Sequence, residues 1–522
     1  MSSRALLAAS AALLLAAPAR AQSNGTNVWA CAYVSYSGAL AVCSTTGSVY
    51  APTCCDAWAG GNETAVAWGV WSDGIGLATA GNWAQLAVHT SAAFAEPLQA
   101  HAAGFLEGFV SATRATEFAH NMHGEGSTWS PALAAFVEAN LAYVARRVAE
   151  NPGDPFWHHV GLAHAQQAAG YEGFCAAYAA QGKAAPLGNA SYYALTLIGD
   201  MDDLCVVFGC ARTASWRQAR AARAPGFRAD DETIRFERAL SDGHCSALVK
   251  LLGGNLSAPT DVLFSHTTWN PFEAMVRVYK AYDFPWTVSG TPGSEKVPGT
   301  QIAFSSFPGT FYSFDDYYTT SPASLAVLET TIINNNASLW ALVKPESVMD
   351  WARNMVANRL ADDGNSWSAY FQRENSGSYN NMFLVLSYPM VKAAVAEHRP
   401  LPDGTLVVIE QMPGVVVVTD ATSHLQPGGA GYYASYNRIA TPWLFELTNQ
   451  TALVREFGDH FSYDLYSRAE IMRARQANVT DMDSFRALMR YNDFENDATG
   501  GQGCTAPARS GSNAVSPTAA PP

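Results

Sequence analysis

Basic residues are the scarce class in this sequence. Lys and Arg number 31 against 45 Asp and Glu, and the formal net charge of the 522 residues is −14. Such a chain presents no broad cationic surface to phosphate backbones, so no nucleic-acid partner is expected. Charged residues make up only 15% of the chain and hydrophobic residues 48%, which predicts a globular protein with a large buried core.

Several common catalytic motifs are also missing. The sequence contains no G-x-S-x-G, H-E-x-x-H, G-x-x-x-x-G-K-[ST] or paired C-x-x-C, which weakens several hydrolase, metalloprotease and nucleotide-binding interpretations. Histidines do cluster, at His120 and His123 and again at His158, His159 and His164. No third ligand of suitable spacing accompanies either group, so we expect no metal site and no cofactor.

Long apolar runs are confined to the N-terminus. Arg4 supplies a positive n-region, Ala5 to Ala17 an apolar stretch, and Ala19-Arg20-Ala21 a small-x-small cleavage site, which together predict a secretory signal peptide over 1–21. No later run approaches about 18 residues, so no transmembrane segment is expected.

Glycosylation sequons agree with that route. Seven N-x-S/T sites predict N-linked glycans on a protein of the secretory pathway that ends in a lysosome or outside the cell. They are Asn24, Asn62, Asn189, Asn255, Asn336, Asn449 and Asn478.

Cysteine is sparse and odd in number. Nine cysteines leave one thiol over even with complete pairing. Cys205 and Cys210 are spaced to close a small loop, and Cys175 and Cys504 have no obvious partner. Four others crowd the segment after the signal peptide, namely Cys31, Cys43, Cys54 and Cys55. Disulfides are expected in this compartment, and their connectivity stays open.

Hydrophobic periodicity predicts both kinds of secondary structure and no internal repeat. Helices are predicted over 91–122, 131–149, 156–180, 273–281 and 345–360. Strands are predicted over 65–79, with a Ser-Asp-Gly turn at its centre, and over 245–252, 262–266, 302–307 and 382–387, with a hairpin over 405–419. Such alternation predicts sheets covered by helices. Residues 498–522 lack hydrophobic periodicity and are expected to be a disordered tail.

Cys245 stands out by its setting. The run Gly243-His244-Cys245-Ser246 puts a thiol at the start of a β-like segment, where the chain changes from helical to strand-rich texture. Taken alone, this pattern also fits an ordinary buried structural cysteine.

Longer motifs around Cys245 resemble a known family. In order, they are HCSALVKLL, DVLFSHTTWNPFEAMVRVYKAYDF, IAFSSFPG, ENSGSYNNMFLVL, DGTLVVIEQMPGVVVVTD, YYASYN, FSYDLYSRAEIMR and MRYNDF, with AHAAGFLEGF upstream. Together they resemble the lysosomal phospholipase B-like family over roughly residues 60 to 497.

The resemblance implies a fold and a maturation step. It implies an α+β protein, a four-layer αββα sandwich of the N-terminal nucleophile hydrolase type, that cleaves itself between His244 and Cys245. The expected parts are the signal peptide 1–21, an N-terminal fragment 22–244, a C-terminal fragment 245–497 that stays associated with it, and the tail 498–522. The new α-amine of Cys245, with a reference pKa of about 7.7–8.0, then serves as the base for its own thiol.

The resemblance also implies further site residues. His266 and Trp269, in SHTTWN, are expected beside the nucleophile, His266 orienting the thiol or substrate and Trp269 forming an apolar wall. Thr330 and Asn380 resemble positions suited to oxyanion stabilisation, with Asn375 and Asn381 as close rivals of Asn380.

Arg468, in SYDLYSRAEI, is the expected cation beside the thiolate. The competing interpretation makes Arg468 a surface helix cation paired with Glu470 or Asp464.

These features lead to one expected function and two alternatives. The expected function is a hydrolase that cleaves fatty-acyl ester bonds of phospholipids through a cysteine acyl-enzyme. The alternatives are an amidase acting on N-acyl small molecules and a non-enzymatic lumenal lipid-binding glycoprotein.

Overall fold

The fold combines long helices with two β-sheets. The computed structural model describes residues 27–34, 40–47, 65–76, 83–123, 129–209, 245–270, 272–315 and 317–493. Helices in this part are α1 (Glu96–His123), α2 (Pro131–Glu150), α3 (Pro155–Ala179), α4 (Asn189–Thr196), α5 (Ile198–Phe208), α6 (Asp350–Leu360), α7 (Gly364–Phe371), α8 (Tyr388–Glu397), α9 (Pro442–Leu447), α10 (Gln450–Phe457), α11 (Ser467–Arg475) and α12 (Met482–Met489). Strands are β1 (Asn27–Val34), β2 (Leu40–Gly47), β3 (Ala65–Ser72), β4 (Ala84–Thr90), β5 (Cys245–Leu252), β6 (Asp261–Thr268), β7 (Val278–Asp283), β8 (Gln301–Ser306), β9 (Tyr317–Ser321), β10 (Leu325–Thr331), β11 (Asn381–Ser387), β12 (Leu406–Met412), β13 (Val415–Asp420) and β14 (Tyr432–Ser435).

The larger sheet contains strands from both sides of residue 245. Among the described residues it has eleven strands in the order β13-β12-β11-β10-β9-β8-β7-β4-β3-β1-β2. Neighbours pair antiparallel except β4 and β7, which run parallel with Ala84 opposite Val278 and His89 opposite Asp283. The two predicted fragments therefore share one hydrogen-bonded sheet.

The smaller sheet carries the candidate nucleophile. Its described strands follow the order β14-β5-β6, so β5 is central and both neighbours are antiparallel to it. Ala247 of β5 lies opposite Ser435 on one side and His266 on the other.

Three apolar cores separate successive layers. One packs α1, α3, α6 and α7 against a face of the large sheet that includes Val327 and Phe383. A second joins Val249 of β5 to Leu328 and Leu384 on the opposite face of the large sheet. The third packs Leu248 of β5 against α11 and α12. This arrangement confirms the α+β class, while the N-terminal nucleophile type stays a prediction.

Glycines let α1 and α3 pack backbone to backbone. A Cβ on Gly104 of α1 would lie 1.8 Å from the Gln166 carbonyl oxygen, and one on Gly173 of α3 would lie 1.9 Å from that of Phe105. Larger side chains there would force the helices apart, so the glycines in AHAAGFLEGF serve close packing.

Most predicted elements are present. The helices predicted over 91–122, 131–149 and 156–180 are α1, α2 and α3, with Ser130 capping α2 through its hydroxyl. The hairpin predicted over 405–419 is β12 and β13. In the first predicted strand, the Ser-Asp-Gly turn follows β3 rather than dividing it.

The helix predicted over 273–281 is wrong. Phe272–Ala274 form a single 3₁₀ turn, and Val278–Asp283 are strand β7. Val278, Lys280 and Tyr282 are buried at alternate positions, which is the period of a strand. Lys280 is fully buried, and its Nζ lies 2.7 Å from the buried Glu107 carboxylate.

The helix predicted over 345–360 is also too long at its start. Its helical part, α6, begins only at Asp350. Pro345 occupies the non-helical lead-in, where the Asn140 side chain of α2 donates hydrogen bonds to the carbonyls of Pro345 and Ser347, both at 2.8 Å.

Cysteine states are partly described. Cys31 and Cys205 are disulfide-bonded, and Cys175 and Cys245 carry thiols. The signal peptide, the 498–522 tail and His244 lie outside the described residues, and the division into 22–244 and 245–497 stays a prediction.

The described sequon asparagines differ in exposure, and their glycans stay a prediction. Asn189, Asn255, Asn449 and Asn478 are exposed, whereas Asn336 is half-buried and its amide donates to the Leu447 carbonyl at 2.8 Å. Within the described residues, no helix combines the length and apolar character needed to cross a bilayer.

Candidate active site

Cys245 begins the central strand of the small sheet. Its side chain is 4% exposed. Because side chains alternate along β5, Cys245 shares a face with Ala247 and Val249, which pack towards the large sheet. Thr268 of β6 lies directly opposite Cys245.

Asn437 holds the backbone of Cys245. Its Oδ1 accepts a hydrogen bond from the Cys245 nitrogen at 2.9 Å, and its Nδ2 donates to the Thr331 carbonyl at 2.7 Å. Asn437 has a φ of +65°, a left-handed conformation that asparagine tolerates better than most residues. The sequence prediction did not single out Asn437, although it ends the YYASYN motif.

Arg468 binds the other side of the same residue. It projects from α11 and is 8% exposed, so its interpretation as a surface cation is wrong. Its Nη1 donates to the Cys245 carbonyl and, at 3.1 Å, to Ser246 Oγ. Its Nη2 donates to Asn437 Oδ1 and to the Tyr466 hydroxyl, each at 2.9 Å. The backbone nitrogen and oxygen of Cys245 are thus both fixed.

Trp269 covers the guanidinium of Arg468. The Arg468 Cζ lies 4.9 Å from the Trp269 ring centre and 4.8 Å from that of Tyr466, within the range of cation–π contacts. Trp269 is 48% exposed, so it separates Arg468 from solvent on one side. Its role as a substrate wall stays a prediction.

A second buried cation lies on the far side of Asn437. Arg438 is 3% exposed, donates through Nη1 to the Asn437 carbonyl at 3.2 Å, and lies 4.4 Å from the Tyr466 ring centre. Burial alone would raise the pKa of Tyr466, but the charges of Arg468 and Arg438 outweigh burial and lower it. Two guanidinium groups therefore make this end of β5 electropositive.

His266 lies on β6 beside the strand of Cys245 but is not a cation. It lies opposite Ala247, diagonal to Cys245 on the same face, with Nδ1 3.2 Å from Thr268 Oγ1. Burial lowers the pKa of His266 to about 3. A backbone hydrogen bond with Glu329 acts to raise this pKa, and the charge of Arg277 acts to lower it. A neutral imidazole can orient a partner by hydrogen bonding, but it cannot neutralise a thiolate.

Thr330 touches the Asn437 turn. Its Oγ1 lies 2.5 Å from Ser435 Oγ and accepts from the Asn437 nitrogen at 3.4 Å. Thr330 is fully buried. These contacts give it a direct part in positioning Asn437, whereas an oxyanion role stays a prediction.

Asn380 points its amide elsewhere. Its Nδ2 donates to Asp203 Oδ2 and to the Gly377 carbonyl, each at 2.9 Å, so donation to an oxyanion would require the release of one of these bonds. Of its rivals, Asn375 donates through Nδ2 to the Met412 carbonyl of β12 at 3.0 Å and accepts at Oδ1 from the Gly377 nitrogen of its own turn at 2.9 Å. Neither amide atom of the buried Asn381 has a hydrogen-bond partner among the described residues.

Three of the clustered histidines, His158, His159 and His164, have other contacts. His158 Nε2 lies 2.6 Å from Glu96 Oε2, His159 Nε2 lies 3.0 Å from the Thr287 carbonyl, and His164 packs on Trp351 at 4.8 Å between ring centres. The described residues hold no group of three His, Cys, Asp or Glu side chains suited to a metal ion.

The sequence matches a known family across both predicted fragments. The family model described as Phospholipase B matches residues 67–518. That range includes Cys245, Asn437 and Arg468.

Individual relatives agree with the family match. The human protein named "Putative phospholipase B-like 2" is 36% identical over 470 residues, covering 88% of this chain and 73% of its own length. "Phospholipase B-like protein B" of Dictyostelium discoideum is 31% identical, with 80% and 68% covered. "Phospholipase B" of Crotalus adamanteus is 33% identical, with 76% and 67% covered.

Proposed function

The chain belongs to the phospholipase B family, and from this membership we propose that it is a secretory-pathway hydrolase that cleaves fatty-acyl bonds of lipids with the Cys245 thiol. The observation that carries the proposal is the double anchoring of Cys245. Asn437 accepts from its nitrogen, Arg468 donates to its carbonyl, and Arg468 joins the two by donating to Asn437. A merely structural cysteine does not need such an electropositive clamp.

The first reaction is maturation at the His244–Cys245 bond. The Cys245 sulfur attacks the His244 carbonyl carbon, the C–N bond breaks, and the nitrogen gains a proton to become an α-amine. Water then hydrolyses the thioester and leaves a His244 carboxylate and a Cys245 thiol. The nitrogen released is the atom bound to Asn437, so the amine forms within its binding site.

The second reaction is turnover. The α-amine takes the thiol proton, the thiolate attacks the ester carbonyl, and the alcohol leaves with that proton. Water hydrolyses the acyl-cysteine and returns the thiol. A lysosomal pH would protonate an ordinary α-amine, whose pKa is about 7.7–8.0. The charges of Arg468 and Arg438, together with burial, favour the neutral amine there.

Analysis of the N-terminus of the purified protein tests maturation. We expect a fragment that begins at Cys245 in the wild type, no such fragment in Cys245→Ala, and normal cleavage in Cys175→Ala, which removes the other described thiol. An unchanged fragment pattern in Cys245→Ala would refute self-cleavage by this residue.

Substrate class needs a separate assay. The mature protein is incubated with phosphatidylcholine vesicles and, in parallel, with N-acyl amides, and released fatty acid is measured by mass spectrometry together with acylation of Cys245. Release from phospholipid with acyl-Cys245 supports the proposal. Release from amides alone identifies an amidase, and bound lipid without turnover in any assay identifies a lipid-binding glycoprotein.

A further inference from the structure

Arg359 is a buried cation without an ion pair among the described residues. It lies on α6 and is 2% exposed. Its Nη1 donates to the carbonyls of Gly299 and Thr300 at 2.9 and 2.8 Å, but its Nη2 has no hydrogen-bond partner in the part of the chain that the structure describes. Asp283, whose charge acts on Arg359, lies 3.4 Å from His89 instead.

The surroundings of Arg359 keep it charged but poorly solvated. Its Cζ lies 4.7 Å from the Phe284 ring centre and 4.9 Å from that of Trp286. Burial lowers the pKa of Arg359 to about 9, so the guanidinium remains protonated at neutral and acidic pH. A buried charge of this kind is costly unless something compensates it.

A small internal cavity adjoins the guanidinium. Its walls include His159 and Gln166 of α3, Trp286, and Arg359, with Phe311 as an apolar side. Its free volume is about 10 Å³, enough for one water molecule or one monatomic ion. Three of these walls bring unpartnered N–H donors, namely Gln166 Nε2, Trp286 Nε1 and Arg359 Nη2. All three side chains are at least 95% buried, with exposures of 5%, 3% and 2%.

We propose that this cavity binds a monatomic anion of the halide class, chloride in the cell. An anion accepts from all three donors and neutralises Arg359, whereas a water molecule would leave the charge uncompensated. The donors exclude a metal cation, and the volume excludes carboxylates and phosphates. The site is separate from Cys245 and does not depend on cleavage at His244.

The anion would join the two predicted fragments. His159 and Gln166 precede residue 245, whereas Trp286 and Arg359 follow it. Chloride that binds the native state and not the unfolded state stabilises the native state by mass action. In a cleaved chain, the bound chloride also stabilises the association of the two pieces.

His159 makes the binding sensitive to pH. Its Nε2 faces the Thr287 carbonyl at 3.0 Å and must carry a proton, so Nδ1 is a lone pair in the neutral ring. Burial lowers the pKa of His159 to about 3, with the charges of His158 and Arg359 acting in the same direction and Glu96 against them. An anion at the cavity favours the protonated ring, so its affinity rises as pH falls.

Thermal unfolding tests the site in solution. The full-length protein is heated in sodium chloride or sodium gluconate at equal ionic strength, at pH 7 and pH 5. We expect a saturable rise in Tm with chloride and with bromide and no rise with gluconate. The rise should be half complete at a lower anion concentration at pH 5 than at pH 7. Trp286→Phe removes one donor and keeps an aromatic ring, and it should weaken the apparent affinity for chloride about tenfold. The matched control Trp443→Phe, at an exposed tryptophan, leaves it unchanged.

Anomalous scattering from crystals grown in bromide locates the ion. A bromide peak between Arg359 and Trp286, together with the saturable Tm effect, supports the proposal. Equal Tm values in chloride and gluconate overturn it, even with a bromide peak, because they would mean binding at crystal concentration only. A water molecule in the cavity of bromide crystals also overturns it.

Discussion

The backbone nitrogen of Cys245 donates to the side chain of Asn437 at 2.9 Å, and the residues are 192 positions apart in sequence. The register of β5 and β14 explains the meeting. The two strands are antiparallel and Ser435 pairs with Ala247. Two residues after Ser435 along the chain is Asn437, and two residues before Ala247 is Cys245, so these two residues meet. The donor of this hydrogen bond, the Cys245 nitrogen, is the atom that the proposed cleavage converts from an amide into an amine.

Loss of the Asn437 side chain tests this relationship. Asn437→Gly keeps the left-handed backbone conformation, with its φ of +65°, but removes the acceptor. We expect slower cleavage at His244 and a kcat/KM about 100-fold lower, because the reacting group loses its fixed position. Both rates are measured on purified protein, with Tm as a check on folding. Wild-type rates in the variant would contradict the role.

Removal of the Arg468 charge should raise the pKa of the Cys245 thiol. An adjacent opposite charge lowers an acidic pKa by about 1–3 units, so Arg468→Met loses that effect and Arg468→Lys keeps part of it. The pH dependence of iodoacetamide alkylation, followed on the Cys245 peptide by mass spectrometry, measures the pKa.

Arg473 gives the matched control for that experiment. It lies on α11 like Arg468 but is exposed. Arg473→Met should leave the alkylation profile of Cys245 unchanged. An unshifted profile in Arg468→Met would assign the electropositive surroundings to other groups.

Replacement of His266 should leave the pH profile of the enzyme in place. Since burial lowers the pKa of His266 to about 3, its titration cannot produce an acid limb near pH 5–7. His266→Gln keeps a hydrogen-bonding side chain, and we expect kcat to fall by about tenfold or less with the acid limb unmoved. Loss of that limb, measured as kcat/KM from pH 4 to 8, would show that His266 titrates.

Acidification should destabilise the fold through its neutral histidines. Burial lowers the pKa of His164 to about 4 and of His266 to about 3, below the unfolded value of about 6.5. The unfolded chain binds more protons than the native chain between these limits, so the free energy of unfolding falls as pH drops from about 6.5 towards 4. Asp200 acts in the opposite sense, because burial raises its pKa to about 6.

Urea unfolding at pH 7 and pH 5 measures that loss. We expect about 1–2 kcal/mol from each of the two histidines. His164→Leu should remove its share of the difference, whereas His424→Leu, at an exposed position, should not. The same pH difference in both variants would contradict the assignment.

The buried pair of Lys280 and Glu107 should show strong coupling. Both side chains are at most 1% exposed, and the Tyr282 hydroxyl also donates to Glu107. Lys280→Met alone leaves a buried carboxylate and should cost about 3–5 kcal/mol of unfolding free energy. The double variant Lys280→Met/Glu107→Leu should recover part of it, and a double-mutant cycle measures the coupling. Strict additivity would contradict it.

Local patterns made much of this fold predictable. The start of β5 at Cys245 and the hairpin of β12 and β13 follow from β-branched runs and turn residues near each other in sequence. Strand β7 was missed, and its buried Lys280 pairs with Glu107 on a helix distant in sequence. Burial of that pair depends on tertiary packing, which the hydrophobic periodicity of the sequence does not report.

The candidate site was predictable only in its motif residues. The family resemblance named Cys245 and Arg468, which the structure joins by a hydrogen bond. Asn437 could have been noticed as an asparagine directly after a β-like run, but its position opposite Cys245 depends on strand register. The protonation state of His266 depends on burial, which no single motif encodes.

The parallel pairing of β4 with β7 has a consequence for biosynthesis. The ribosome finishes β4 almost two hundred residues before β7. The edge of β4 that pairs with β7 therefore stays unpaired while the intervening helices are made. Self-cleavage before that pairing forms would separate the chain from its missing strand. We therefore expect cutting only after β7 has been made and has paired with β4, and we expect the two pieces made from separate genes to fold only when they are produced together.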